Sequence, residues 1–162
     1  AFTVVELIVV MAMFAILLVG VGSTLSGALR GARKTGVAVG VRNEGEYALA
    51  ALVQKIKFAR KIVNCSTTGA NTISILDGDE SSLVLTYDPT NKNLVLGSTV
   101  VTSGAVAVTA AVGCGGVFVC DSAKTMVSIC FDVDNFNSSG LKSQEGRVNY
   151  KTQVTLRNAD LQ

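Results

Sequence analysis

From Leu7 to Val19 every residue is apolar, and Ala12 and Ala15 are the only small ones among Leu, Ile, Val, Met and Phe. The stretch from Ala1 to Leu29 holds one charged residue, Glu6. A run of this length predicts a helix able to span about 30 Å of hydrocarbon. A carboxylate inside such a segment is costly, about 2.5–3.5 kcal/mol at a bilayer centre on insertion scales, so Glu6 calls for a partner. The chain supplies no Lys or Arg before Arg30. The cation left to pair with Glu6 is an N-terminal amine, its own or that of a neighbouring copy. A secretory signal peptide would place basic residues before the apolar core and a small-residue cleavage site after it. Here Arg30, Arg33 and Lys34 follow the core instead.

Beyond the apolar run the pattern stays helical but is interrupted by Gly20, Gly22, Gly27, Gly31, Gly36 and Gly40. Each interior Gly costs roughly 1 kcal/mol of helix relative to Ala. Two readings stand side by side. Gly27/Gly31, Ala28/Ala32 and Gly36/Gly40 have the small-xxx-small spacing that lets helices approach closely, and the helix can locally unwind or bend around Gly20–Ser23. From Asn43 to Asn64, Leu49, Leu52, Val53, Ile56, Ala59, Ile62 and Val63 follow an i, i+3, i+4, i+7 rule, which predicts an amphipathic helix over 43–64 packed on a sheet. Glu44 and Glu46 come early in it and Lys55, Lys57, Arg60 and Lys61 late, as a helix dipole favours.

After Cys65 the period shortens. Val/Ile/Thr/Tyr-rich runs at 72–76, 82–87, 93–96, 105–112, 117–119, 125–133 and 148–157, bounded by Gly, Asp, Asn or Ser, predict short antiparallel strands. Asp77-Gly78-Asp79 and Asp88-Pro89-Thr90-Asn91 are the clearest turns, and Pro89 is the only proline. The fold class is therefore α+β: a long N-terminal helix whose C-terminal half packs on an antiparallel β-sheet head. The parts are an apolar helix over 1–40 and a globular head over 41–162.

Composition refines this picture. A net charge of +2 from 14 basic and 12 acidic residues is too balanced to point to nucleic acid as the main partner. Charged residues make up 16% against a typical ~25%, in keeping with a chain that hides surface in lipid or self-assembly. Cys65, Cys114, Cys120 and Cys130 all fall in the head, an even set that reads as disulfides outside the cytoplasm. Four cysteines allow three connectivities. The favoured reading ties Cys65 to one of the strand cysteines and closes a second bridge within Cys114–Cys130. Zinc is poorly served without a histidine or a C-x-x-C pair. Asp132-Val133-Asp134-Asn135-Phe136-Asn137 alternates oxygen ligands but lacks the full calcium-loop set, and a plain turn is the better reading. Gly113-Cys114-Gly115-Gly116 lacks the Lys-Ser/Thr of a phosphate loop. With no His and no nucleophile beside a recognisable base, the chain is read as a non-enzyme without cofactor or metal.

Phe2-Thr3-Val4-Val5-Glu6-Leu7-Ile8-Val9-Val10 resembles the N-terminal signal of type IV prepilins and type II secretion pseudopilins, G-F-T-L-[IV]-E-[LV], including the Phe-to-Glu spacing. The resemblance implies a pilin-like lollipop fold. It also implies cleavage before Phe2 by a prepilin peptidase, methylation of the new amine, Glu6 as the assembly carboxylate and Thr3 as a helper beside the amine. Ala1 departs from the pattern, standing either where the family has Gly before the cut or as the mature N-terminus. Some assembled pili of this family melt the stretch corresponding to Gly20–Ser23. The implied function is a structural subunit, first of all a major pilin, that polymerises with identical copies into an extracellular type IV pilus. The implied partners are the inner membrane, which would hold the precursor, and the pilus assembly machinery. A pseudopilin or minor pilin of a secretion or DNA-uptake system and a membrane-tethered adhesin are the alternatives. Intact-mass measurement of protein from fibres checks the processing. Cleavage before Phe2 should remove Ala1 and add one methyl group, about 14 Da, to the Phe2 amine, whereas an unmethylated terminus would count against this processing route.

Overall fold

The computed structural model describes residues 3–135 and 146–157. Its elements are α1 (Val4–Phe58), β1 (Lys61–Asn64), β2 (Thr72–Leu76), β3 (Ser82–Asp88), β4 (Asn93–Leu96), β5 (Thr99–Val100), β6 (Val106–Ala110), β7 (Phe118–Cys120), β8 (Met126–Asn135) and β9 (Val148–Thr155). The architecture is a long apolar N-terminal helix followed by an antiparallel β head, the expected α+β class. Two compact units divide the chain, Ala1–Gly36 and Val37–Gln162.

Within the second unit α1 buries one stripe, Val41, Gly45, Ala48, Leu52 and Ile56. These positions recur three or four apart, the spacing that keeps residues on one helix face. Leu52 and Ile56 are fully buried, and burial of such a side chain contributes about 1.5–3 kcal/mol. They join Ile73, Ile75, Leu85 and Leu94 from one sheet and Val108, Phe118, Ile129, Phe131 and Val133 from the other in one hydrophobic cluster.

The strands form two sheets rather than the single one expected. The first is a meander, β1-β2-β3-β4-β5, antiparallel throughout. In the second, β9 runs along one edge of β8 while β6 and β7 divide the other, β7 against Val127–Ile129 and β6 against Phe131–Asn135. The break between sheets has a local cause. Leu94 N donates to the hydroxyl of buried Thr102 at 3.1 Å, and Val101 N donates to Leu94 O at 2.8 Å. Those groups are satisfied where another ladder partner would have been needed, and the chain leaves the first sheet after β5.

The amphipathic helix expected over 43–64 ends at Phe58. Ala59 N donates to Ile56 O in an i to i−3 bond, and Arg60 N already donates to Leu76 O at 2.8 Å. Lys61–Asn64 is a strand, with Ile62 buried and Val63 exposed. Ala59, Ile62 and Val63 carry helical spacing, yet the alternation of Ile62 and Val63 is what the fold uses. Since α1 begins at Val4, Glu44 and Glu46 lie mid-helix and not near a start. Glu46 pairs with Arg42 at 2.7 Å, while Glu44 accepts a hydrogen bond from Ser103 N at 3.2 Å. Lys55 and Lys57 do occupy the last turn. β5 was not anticipated, and its two residues, Thr99 and Val100, are both exposed.

Both bridges form, Cys65–Cys120 and Cys114–Cys130, with Cα separations of 6.0 and 6.2 Å, and this agrees with the favoured pairing. Beside them the backbones of residues 68–70 and 115–116 cross in contact. A Cβ on Gly69 would lie 2.5 Å from Gly115 C, and Gly69 has φ 110°. This explains Gly115 and Gly116 after Cys114 as room for a backbone crossing, whereas Gly113 has open space around it and is set apart by its positive φ of 86°.

Gly45 is the equivalent point on the helix. A Cβ there would meet the Tyr150 ring at 2.3 Å. That ring is held on two sides, stacked on Phe131 at 5.3 Å between centroids and donating its hydroxyl to Arg42 O at 2.9 Å. The ring therefore cannot swing away without losing both contacts. Gly45→Ala should destabilise the head by about 1–3 kcal/mol, the range for overpacking a close-packed core, whereas Ala50→Gly on the exposed face should cost at most about 1 kcal/mol. Urea midpoints followed by near-ultraviolet dichroism distinguish the two.

Candidate functional site

Every residue from Thr3 to Gly36 is exposed. Val4, Ile16, Leu18 and Val19 are each at least 70% accessible. The helix is long and apolar enough to cross a membrane, and its most apolar window is wholly unburied. Leaving each such side chain in water forgoes about 1.5–3 kcal/mol, so this surface requires a cover of lipid or of other protein.

Glu6 sits in the first turn of α1. Glu6 N donates to Thr3 O at 3.1 Å and to the Thr3 hydroxyl at 3.3 Å. Thr3 is therefore the N-cap, and Thr3-Val4-Val5-Glu6 has the sequence of a capping box. That signal was legible in the sequence and gives Thr3 a structural role separate from any contact with an amine. Among the described residues the Glu6 carboxylate has no ion-pair partner. Ala1 and Phe2, the processing candidates, lie outside the described residues.

The unwinding expected at Gly20–Ser23 is absent in the single chain, because α1 is continuous through Gly20 and Gly22. Its hydroxyls bond back to the helix: Ser23 to Gly20 O, Thr24 to Val21 O and Ser26 to Gly22 O, all at 2.9 Å, and Thr35 to Gly31 O at 3.1 Å. Such self-satisfied hydroxyls suit a setting without water. A Cβ on Gly20, Gly22, Gly27 or Gly31 would meet nothing within 4 Å. The chain itself does not need glycine there, in contrast to Gly45.

In the head, the α1 face opposite the buried stripe presents Asn43, Tyr47, Ala50, Gln54 and Phe58, all exposed and uncharged. Tyr47 and Phe58 are 66% and 47% accessible. A shallow groove of about 390 Å³, lined by Val37, Val41, Glu44, Ser103, Ala105 and Val106 among others, holds a single carboxylate, that of Glu44. Among the described residues no group of His, Cys, Asp or Glu is placed to hold a metal ion. Asp132 and Asp134 lie on β8 rather than in a loop, with Asp132 buried and accepting from Asn149 Nδ2 at 2.6 Å and Asp134 facing Arg147 at 3.6 Å. Asn137, the far end of that motif, lies outside the described residues.

Comparison of the chain with protein-family models, with curated proteins and with solved structures found no match.

The electrostatics of the head are those of turns. The Gly78 backbone N–H, and then the Lys55 ammonium at 3.2 Å, hold the Asp77 carboxyl below its ordinary value of 3.8. Asp88 is lowered likewise, first by Asn91 Nδ2 and then by the backbone N–H groups of Asn91 and Thr90. A carboxyl whose folded pKa is depressed contributes stability above its unfolded pKa and loses it as pH falls through the folded value. Asp77→Asn should therefore lower the urea midpoint at neutral pH, and the gap from the parent chain should close below pH 3.8. An equal gap at both pH values would remove Asp77 from the acid sensitivity of the head.

Proposed function

We propose that this chain is a structural subunit that polymerises through its N-terminal helix into an extracellular filament of the type IV pilin kind, with the disulfide-bonded β head turned outward. The observation that carries this reading is the run from Val4 to Gly36, exposed throughout and apolar over most of its length, with one carboxylate in its first turn. Lipid alone satisfies the apolar surface but leaves Glu6 in a medium where an unpaired charge is costly. Packed copies answer both needs, since each Glu6 can meet the N-terminal amine of a neighbour released by processing.

Three further features support assembly. The glycines from Gly20 to Gly31 leave open space along the helix that close helix approach would use. The hydroxyls of that stretch are satisfied internally. The uncharged face through Tyr47 and Phe58 offers the head's own helix as a surface for an apolar neighbour. A membrane-tethered adhesin would use the apolar length equally well, but it has no use for Glu6. The partners of this reading are identical subunits, the inner membrane before assembly, and a prepilin peptidase with its assembly machinery.

Glu6→Ala and Glu6→Lys should abolish or strongly reduce fibre yield while the head stays folded and the chain stays membrane-inserted. Electron microscopy of sheared fibres, with membrane fractionation and dichroism of the unassembled protein, reads all three. Normal fibre yield from both variants at parental expression would sink the pairing of Glu6 with an amine.

A further inference from the structure

We propose that the two disulfides form a mechanical bypass, carrying tension from α1 through the edge strand β1 to the second sheet while β2 to β5 stay out of the covalent load path. The argument starts from connectivity. Cys65 follows β1 directly, so only a short length of chain separates the end of α1 at Phe58 from the first bridge. That bridge leads to Cys120, at the end of β7. The second bridge starts a few residues back along the chain at Cys114 and lands on Cys130, in the middle of β8. The sequence separations of 55 and 16 overlap. Because the loops interlock, the shortest covalent route from Cys65 to Cys130 runs from bridge to bridge through the 114–120 segment.

Residues 66–113 form the long arm of that ring, and they contain β2 to β6. A covalent short arm is far stiffer than a folded long one, so tension that has reached Cys65 along β1 passes to β8 without drawing on the hydrogen bonds that β2, β3, β4 and β5 make to one another. The junction is reinforced where the two bridges come near each other. Cys120 N donates to Ser66 O at 3.0 Å, and Ala70 and Phe118 exchange backbone bonds at 2.8 and 3.0 Å. The glycine crossing at 69 and 115 brings the two backbones into contact at the same place. The strands that the bypass spares carry Ser74, Val84, Thr86 and Val95, which line up on one face across β2, β3 and β4. The bypass is a property of the head alone, so it holds or fails independently of polymerisation.

Single-molecule stretching of the full chain in detergent tests it, with one handle on an azide-bearing residue at exposed position 35 and the other at the C-terminus. The readout is the fully extended length, at about 3.5 Å per residue. Relative to the oxidised parent, Cys65→Ser/Cys120→Ser should be longer by about 150 Å. Cys114→Ser/Cys130→Ser should differ by no more than about 15 Å, because the first bridge alone removes most of the long arm. The parent held in reductant should be longer by about 200 Å, and this arm needs no substitution should either variant fail to fold. An oxidised parent as long as the reduced one, or two double variants of equal length, would overturn the bypass.

Discussion

The contact on which the head depends is the approach of α1 to β9 at Gly45. The buried stripe of the helix carries small residues at Gly45 and Ala48 and large ones at Leu52 and Ile56. The small end admits the Tyr150 ring, and the large end fills the space between the sheets. Tyr150 in turn stacks on Phe131 of β8 and donates to Arg42 O. One aromatic side chain thus joins the helix to both long strands of the second sheet, and its position follows from the absence of a single Cβ. Remove that clearance and the helix must lift from the strands, opening the core around Leu52 and Ile56.

The same helix is asked to satisfy two kinds of surrounding. Up to Gly36 no face of it is buried, and its polar hydroxyls turn back onto their own carbonyls. From Val41 a defined stripe is buried, with charged residues such as Arg42, Glu46 and Lys57 exposed beside it. A water-soluble helix of the first kind would be unstable, and a membrane helix of the second kind would be costly. The chain resolves this by changing composition along one continuous element, which is the physical basis for reading the N-terminal part as an assembly surface and the remainder as part of a folded head.

Glycine serves opposite purposes in the two units. At Gly45, Gly69 and Gly115 an added Cβ collides with neighbouring atoms of the chain, so the residue is accounted for by the fold. At Gly20, Gly22, Gly27 and Gly31 nothing is near, and glycine only weakens the helix by about 1 kcal/mol per position. Among the described residues that weakening has no internal return. Glu6 is the parallel case in charge instead of shape. Its backbone N–H is capped by Thr3, but its carboxylate has no counter-ion among the described residues.

Local chemistry by itself determined much of this protein. The apolar run, the single carboxylate Glu6 near its start, the β-rich half after Cys65 and its turns at Asp77 and Asp88 were all legible, because period, length and turn residues are properties of short windows. The pairing of Cys65 with a strand cysteine followed from the order of elements. Tertiary structure alone decided where the helix stops, since Ala59, Ile62 and Val63 fit both a helix and a strand until Arg60 N finds Leu76 O. It decided that the strands divide into two sheets, because that turns on Thr102 capturing Leu94 N across the β4–β5 hairpin. It also decided what each glycine is for, since the residue looks the same in sequence whether its missing Cβ faces Tyr150 or open space. Contacts between distant segments have no signature in a short window, and they settled every point that the pattern left double.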